Sequence, residues 1–157
     1  VGLFGQLENH SGSQIFDVLD VNLTSHILLA RATLPSMKAR GQGTFVFMGS
    51  EAAHQGRRNG SVYCATKAAI KSFAQALRQD VANRGVRVSV INPGMVDTPF
   101  FDTLPFRPGR EDHQHLKAFQ VAETVCAVLD ASEGMVFDEV SISPQVNVVA
   151  FESKRDP

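Results

Sequence analysis

The chain has 157 residues, of which 43% are hydrophobic and 20% charged, with a formal net charge of −1. These values are typical of one globular domain with a sizeable core. The chain has no block of basic residues, so its charge pattern does not indicate nucleic-acid binding. No apolar run approaches the roughly 18 residues of a membrane span, and no signal peptide is recognisable. The two cysteines, Cys64 and Cys126, favour a reducing compartment, so we expect a cytoplasmic protein.

The first predicted element is a long helix. Ser11 and Gln14 have the spacing of a capping box, so we expect the helix to begin there. Apolar residues then recur at helical spacing as far as Leu34. Gly41 is expected to end the helix. Asn22 falls in its middle, where a lone polar residue is more often solvated or at an interface than functional.

A strand and a second helix follow. The apolar run 44–48 predicts a buried strand of a parallel sheet, and residues 51–59 form a polar loop in which we expect His54 to be solvated. The helix opens near Ser61 and is expected to stop at Gly85. Small residues make one side of this helix apolar, and that side either packs on the sheet or meets another helix.

Three side chains around the start of this helix indicate chemistry. Tyr63 and Lys67 are four residues apart, so they lie on one helical face. Ser50 precedes Tyr63 by thirteen residues and stands at the carboxyl end of a strand, where open α/β sheets bind ligands. A nearby cation lowers the pKa of a phenol from its usual value of about 10. We therefore expect Lys67 to make Tyr63 a proton donor and acceptor near neutral pH.

Another predicted strand, 86–91, is stopped by the sequence Asn92-Pro93-Gly94, again on the ligand side of the sheet. Most strand-end Pro-Gly pairs are simply turns. Residues 99–110 contain too many prolines for a helix and include Phe100, Phe101 and Phe106. This composition fits a mobile lid over an apolar substrate and equally a loop anchored on the core.

The end of the chain is predicted to add one helix and one strand. Apolar spacing indicates a helix at 121–129, and alternation indicates an edge strand at 139–143. The tail 152–157 is expected to be frayed. The acidic and histidine residues at 111–115 lack a further ligand set, so we expect no metal site.

Together these motifs resemble the classical short-chain dehydrogenases/reductases, whose triad has the form Ser…Tyr-x-x-x-Lys. Ser50, Tyr63 and Lys67 match the triad. The stretch Asp20-Val21-Asn22-Leu23-Thr24 resembles the family helix that carries a fourth catalytic residue, here Asn22. Residues 92–98 resemble the Pro-Gly turn that contacts the nicotinamide. The resemblance spans nearly all of residues 1–143.

The resemblance implies an α/β fold, a Rossmann-like three-layer α/β/α arrangement with a parallel sheet, in a single domain over residues 1–157. It implies an NADP- or NAD-dependent oxidoreductase that transfers hydride between the nicotinamide and a carbonyl or alcohol, with Tyr63 as general acid and base. In this scheme Lys67 lowers the pKa of Tyr63, Ser50 steadies the substrate oxygen and Asn22 holds a relay water.

The resemblance also implies the surroundings of the reacting groups. Residues expected to contact the cofactor are Asn22, Tyr63, Lys67, Pro93, Gly94, Val96 and Thr98. Residues expected to contact a small carbonyl or alcohol substrate are Ser50, Glu51, Phe100 and Phe101. The family forms homodimers or homotetramers through its long helices, which implies the same here, with no nucleic acid and no membrane span.

Two family motifs are absent. The only Gly-x-Gly, Gly41-Gln42-Gly43, precedes a strand, whereas the glycine-rich turn that holds the cofactor pyrophosphate follows one. The family's Asn-Asn-Ala-Gly is also absent, and the chain begins about where that motif should end. We therefore expect a truncated fold that lacks the opening strands and the residue that selects NAD or NADP. The strand 44–48 would then have an unpaired edge, and the chain alone would be poorly stable, prone to aggregate or dependent on a complementing segment.

Three alternatives remain open. One is a non-catalytic truncated subunit that binds an intact enzyme of the family. A second is an extended-type epimerase or dehydratase, which also uses Tyr-x-x-x-Lys, although the thirteen-residue spacing and the early Pro-Gly favour the classical type. A third is a serine hydrolase acting through Ser50, but Ala52 stands where its Gly-x-Ser-x-Gly elbow requires glycine.

Overall fold

The computed structural model describes residues 1–151. Its helices are α1 (Gly12–Leu19), α2 (Ser25–Arg40), α3 (Ser61–Val81) and α4 (Ala118–Leu129). Its strands are β1 (Gly43–Met48), β2 (Val86–Pro93), β3 (Val96–Asp97), β4 (Phe106–Pro108), β5 (Leu116–Lys117), β6 (Glu139–Ile142) and β7 (Val149–Phe151). The tail expected to be frayed, 152–157, lies outside the described residues.

The main sheet is parallel, in the order β1-β2-β6. Val86, Val88 and Val90 point from β2 into the core cluster that α2 and α3 help to form. Arg87, the alternate residue, donates its guanidinium hydrogens to the carbonyls of Leu129 (3.0 Å) and Ala131 (3.1 Å), at the end of α4. Helices therefore lie on both faces of the sheet, and the expected three-layer α/β/α arrangement with a parallel sheet is confirmed.

The core lies between α3 and the sheet. Residues of α3 at helical spacing are buried, among them Ile70 and Val81, each 0% exposed, as an amphipathic helix against a sheet requires. The alanine-rich side of the same helix is different, because Ala65, Ala68 and Ala76 are exposed. Both interpretations of the small apolar residues of α3 therefore apply to different residues: Leu77 and Phe73 pack in the core with the sheet, whereas the exposed alanines are open for another helix.

The long first helix is interrupted in its middle. Ser11 caps α1 with the predicted capping box to Gln14. Asp20–Thr24 then forms a π-helical turn that contains Asn22, before α2 continues to Gly41, which ends it at φ 66°. Single π-helical turns inside α-helices often mark functional sites.

Several short elements were not predicted. β3 pairs with β5 in parallel, and β4 pairs with β7 antiparallel, so the proline-rich segment 99–110 is anchored through β4. β2 continues through Pro93, beyond its expected end at Ile91, and α4 begins at Ala118 rather than Val121. Strands of two or three residues are too short to show the alternation by which a sequence predicts a strand.

β1 forms one edge of the main sheet. It pairs with β2 from Gly43 opposite Val86 to Met48 opposite Ile91. Within residues 1–151 no strand pairs with its other side. The expected unpaired edge is confirmed, and it presents backbone donors and acceptors that another chain could pair with.

Candidate active site

Ser50 lies where the chain leaves β1 at the carboxyl end of the sheet. The backbone bond from Gly49 N to Ile91 O (2.8 Å) follows the β1–β2 ladder, and Ser50 N then donates to the side chain of Asn92 (3.1 Å). Ser50 Oγ accepts from Ala52 N at 3.2 Å, which caps the 3₁₀ turn Glu51–Ala53. Its own hydroxyl proton therefore stays available for another acceptor.

Tyr63 and Lys67 reach the same place from the first turns of α3. Lys67 Nζ donates to the carbonyl of Met48 (3.0 Å), which is the last residue of β1. The same nitrogen lies 5.8 Å from the centroid of the Tyr63 ring. Ser50 hydrogen-bonds the Tyr63 side chain. The structure thus brings Ser50, Tyr63 and Lys67 together at one edge of the sheet.

The electrostatics of the triad differ from the expectation. Burial raises the pKa of the Tyr63 phenol above its usual value, and the hydrogen bond with Ser50 only partly offsets this rise. Burial also lowers the pKa of Lys67. The prediction that Lys67 lowers the pKa of Tyr63 is wrong for this structure, because the amine lies against the ring and bonds to Met48 rather than to the phenol oxygen.

Asn22 is brought to α3 by the π-helical turn. It is 3% exposed, and its Nδ2 donates to Thr66 Oγ1 (3.3 Å) and to the carbonyl of Val1 (2.8 Å). The amino group of Val1 donates to Asn22 Oδ1 at 2.8 Å. Thr66 lies between Tyr63 and Lys67 in sequence and bonds to the Tyr63 carbonyl (2.7 Å). Asn22 is therefore attached to the backbone of the triad helix.

Aromatic rings surround Tyr63. The rings of Phe4 and Phe100 lie 5.1 and 5.9 Å from the Tyr63 ring, centroid to centroid. Phe101, which is 7% exposed, packs edge-on against Phe100 at 5.0 Å, and Phe106 packs on Phe4 at 4.9 Å. These rings cover part of the Tyr63 ring, which is half-buried, and contribute to the burial that acts on its phenol.

The predicted cofactor residues follow β2. Pro93 pairs with Ile142 within the sheet, and Gly94 N donates to the Ile142 carbonyl (2.8 Å). Val96 pairs with Leu116, and Thr98 Oγ1 donates to the Val96 carbonyl (3.3 Å). The loop 94–98 is thus held against the sheet at the same edge as Ser50.

Glu51, a predicted substrate residue, lies beside this loop. Its carboxylate accepts a hydrogen bond from Ser143 Oγ. A Cβ placed on Gly94 would come within 2.9 Å of Glu51 Oε2, so the carboxylate lies close against the backbone of Gly94. Glu51 therefore links the segment after β1 with the segments after β2 and β6.

An open cavity of about 620 Å³ lies next to these groups. Thr98 and Phe101 line it, together with polar residues that include Asp97, Arg107 and His115. Ser50, Tyr63 and Lys67 do not line it. Phe101 and Phe100 connect this cavity to the ring of Tyr63, so the cavity adjoins the triad without containing it.

Three residues of the site had no predicted role in it. Asn92 was assigned only to a turn, yet it is 0% exposed and bonds to Ser50 N. Phe4 and Thr66 belonged to no motif. His54, expected to be solvated, lies 3.0 Å from Lys71 Nζ and 3.3 Å from both Glu139 Oε1 and Ser141 Oγ. Of these residues, only Asn92 could have been recognised from the sequence, because it is a polar residue at the end of an apolar strand.

The sequence profile of a family described as short chain dehydrogenase matches residues 1–106. The chain belongs to the short-chain dehydrogenase family. The expected resemblance is confirmed, and the three residues brought together by β1 and α3 are those that the family motif selects.

Relatives of this short-chain dehydrogenase chain include an uncharacterized oxidoreductase of Staphylococcus epidermidis, 30% identical over 142 residues, which cover 90% of this chain and 60% of the relative. Another, from Staphylococcus aureus, is 31% identical over 127 residues, or 81% of this chain and 53% of the relative. The chain therefore spans between half and two thirds of the length of these relatives.

Two solved structures are similar in fold. An alcohol dehydrogenase from the archaeon Thermococcus sibiricus, complexed with 5-hydroxy-NADP, is 26% identical with a TM-score of 0.77, covering 90% of this chain and 58% of that one. Serine dehydrogenase from Escherichia coli has the same identity and TM-score, covering 90% and 59%. Within residues 1–151, no helix is both long and apolar enough to cross a membrane.

Proposed function

We propose that the chain carries the catalytic part of an NAD- or NADP-dependent oxidoreductase that interconverts a carbonyl and an alcohol. The observation that carries the proposal is the meeting of the Ser50 hydroxyl with the Tyr63 phenol at the carboxyl edge of the sheet, with the Lys67 amine against the same ring. Bound NAD or NADP would supply or accept the hydride. The oxidoreductase names of the relatives support the same reaction class.

Tyr63 gives a proton to the substrate oxygen or takes one from it. Its raised pKa keeps the phenol protonated at neutral pH, which suits the donor role in carbonyl reduction. Ser50, whose hydroxyl hydrogen-bonds Tyr63 in this structure, turns that hydroxyl to the substrate oxygen when substrate binds, and the aromatic rings of Phe100 and Phe101 exclude water. Asn22, attached to α3 through Thr66, holds the relay path towards Lys67.

The residues fit the nicotinamide end of a dinucleotide. Lys67, with its lowered pKa, and Tyr63 offer donors for a ribose. Pro93, Gly94 and Val96 place backbone at the sheet edge, and Thr98 adds a hydroxyl at the adjoining cavity. The 157 residues contain no glycine-rich strand-to-helix turn for the pyrophosphate, and the contacts proposed here are those with the nicotinamide end alone.

We propose further that the protein is a cytoplasmic homodimer or homotetramer that acts on a small apolar carbonyl or alcohol. Cys64 and Cys126 are free thiols, which fits a reducing compartment. Leu28 and Leu29 on α2 are 55% and 64% exposed, and the alanine-rich side of α3 is open. Such surfaces suit helix-to-helix contact between copies.

Tyr63→Phe tests the reaction. The substitution keeps the ring that packs on Phe4 and Phe100 but removes the hydroxyl, so turnover should fall about 100- to 10,000-fold. The assay follows NADPH and NADH absorbance with aromatic and aliphatic ketones and aldehydes, and Ser61→Ala, which is also on the first turn of α3, is the control. Turnover by Tyr63→Phe near the wild-type rate would rule out the assignment. Binding to an intact, full-length enzyme of the family without any nucleotide binding would instead support the non-catalytic subunit.

A further inference from the structure

Asn92 is the most enclosed polar side chain among the described residues, at 0% exposure. It stands on β2 directly before Pro93, and the reaction proposed above gives it no part. A buried amide is retained only when its donor and acceptor groups are paired, because an unpaired buried polar group costs stability. The partners of Asn92 therefore indicate what its side chain does.

Both ends of the Asn92 amide are paired, and the pairing fixes its orientation. Oδ1 accepts from Ser50 N at 3.1 Å, and Nδ2 donates to Glu139 Oε1 at 2.7 Å. A backbone N–H only donates and a carboxylate only accepts, so the reverse orientation of the amide would break both bonds. A Cβ on Gly49 would overlap Asn92 Oδ1, so the glycine makes room for the amide beside Ser50.

Glu139 is itself held by the helix that carries Tyr63. Lys71 Nζ lies 3.0 Å from Glu139 Oε1, and Lys71 is one turn beyond Lys67 on α3. His54 Nε2 lies 3.3 Å from the same oxygen, while His54 Nδ1 lies 3.0 Å from Lys71 Nζ. With Nδ1 as the acceptor from Lys71, the proton stands on Nε2 and points at Glu139.

These contacts form one continuous connection from the backbone of Ser50 through Asn92 and Glu139 to α3. We propose that Asn92 is a positioning residue, whose amide, oriented by Glu139, fixes the backbone of Ser50 so that the Ser50 hydroxyl meets Tyr63. The inference rests on the proposed function, in that Ser50 and Tyr63 are the reacting pair. Asn92 acts through Ser50.

The chain offers a direct probe of this geometry. Tyr63 is its one tyrosine, and it contains no tryptophan. Phenolate absorbance near 295 nm and the tyrosine ¹³Cζ resonance therefore report the pKa of Tyr63 alone. The hydrogen bond with Ser50 lowers this pKa, so any displacement of Ser50 should raise it further.

The test compares Asn92→Ala, Ser50→Ala and the double variant. Each single substitution should raise the pKa of Tyr63, and the double variant should show no more than the rise of Ser50→Ala, because both act on one hydrogen bond. Ser89→Ala is the matched control, a buried polar residue of β2 that is 1% exposed and should leave the pKa unchanged. The titration uses stopped-flow pH jumps so that the chain remains folded while it is measured. Circular dichroism checks that each variant is still folded.

Two results would overturn the positioning role. One is an unchanged pKa of Tyr63 in folded Asn92→Ala; the other is a rise that adds in full to that of Ser50→Ala. If Asn92→Ala does not fold, Asn92→Asp places a carboxylate against Glu139 and should raise the pKa of Tyr63. Adding Glu139→Gln restores a donor to that carboxylate and should return the Tyr63 ¹³Cζ shift towards wild type. Failure of a folded double variant to do so also overturns the role.

Turnover separates this inference from the proposed function. Where the wild type is active, Asn92→Ala should lower kcat about 100-fold through misplacement of Ser50. If the pKa of Tyr63 depends on Asn92 but the chain shows no turnover, the positioning role is supported and the proposed function is overturned. Turnover that is lost in Tyr63→Phe but unaffected by Asn92→Ala would support the proposed function and overturn the positioning role.

Discussion

Burial is the main influence on the ionisable side chains of this site. It raises the pKa of Tyr63 and lowers the pKa values of Lys67 and His26. In each case the neutral form is favoured, as expected where charged groups lose their hydration. The spacing of Tyr63 and Lys67 predicted their shared face, but the sequence could not show the rings of Phe4 and Phe100 that enclose the phenol.

Lys67 also acts on a histidine outside the triad. Burial lowers the pKa of His26 first, and the positive charge of Lys67 lowers it further. Lys67→Met should therefore move the pKa of His26 up towards its usual 6.5, whereas Lys71→Met, a control on the same helix, should not. Histidine proton NMR measures this, with the His26 resonance assigned by its loss in His26→Gln.

The lowered pKa of His26 also predicts how acid affects the stability of the folded chain. Between the lowered pKa of folded His26 and the usual value of 6.5, the unfolded state binds more protons than the folded state. The free energy of unfolding should therefore rise with pH across that window and fall as acid is added. Urea unfolding of wild type and His26→Gln at pH 5 and pH 7 checks the sign. Equal pH dependence of the two proteins would contradict it.

Among the elements, those with local signals were predicted well. The capping box at Ser11 and the glycine at Gly41 define helix ends through neighbouring residues alone. The α-helix from Ser61 ends at Val81, before its expected end, and only the 3₁₀ turn Ala82–Arg84 extends to Gly85. The π-helical turn was not predicted, because Asn22 bonds to Thr66, which is 44 residues away in the chain. The candidate site divides in the same way: the triad follows from spacing, while the role inferred for Asn92 depends on contacts with Ser50 and Glu139.

The glycine that ends α2 meets the glycine that ends the 3₁₀ turn Ala82–Arg84 after α3. Gly41 and Gly85 have φ values of 66° and 72°, and a Cβ on Gly85 would overlap the carbonyl of Gly41. Left-handed backbone alone costs a non-glycine residue about 1–2 kcal/mol. Close contact between the two helix ends should therefore add a steric cost at Gly85.

Gly85→Ala should lower the free energy of unfolding by more than Gly134→Ala does. Gly134 is the matched control, because its φ is 78° and nothing lies within 4 Å of an added Cβ. Gly134→Ala should lose only the backbone cost of about 1–2 kcal/mol, while Gly85→Ala should lose that and the cost of moving Gly41. Urea titrations of both variants measure the difference, and equal losses would show that the two helix ends separate freely.

At the scale of the whole molecule, two surfaces are available for association, and they predict different products. A patch of apolar side chains on one helix closes when it meets a second copy of itself, which gives a discrete dimer. An open strand edge can add copies without limit. The exposed Leu28 and Leu29 are of the first kind, and the free side of β1 is of the second.

Leu29→Glu should convert the dimer to a monomer, because it places a charge in the middle of the apolar patch. Ala39→Glu adds the same charge on an exposed position of α2, about ten residues further along, and should leave the dimer intact. Light scattering coupled to gel filtration gives the masses. A dimer that survives Leu29→Glu would move the contact away from α2.

Association through the strand edge should depend on backbone rather than on side chains. Gly49 N donates to β2, and backbone groups alternate in direction along a strand, so the N–H of Val46 faces the open edge. Val46→Pro removes that donor at an edge position where proline is tolerated, and it should slow the growth of large aggregates. Val46→Ala also loses the branched valine side chain but keeps the amide, so it should aggregate as the wild type does. Sedimentation velocity over a concentration series distinguishes the two. Similar slowing by both variants would show that the side chain of Val46, and not the free edge of β1, causes the aggregation.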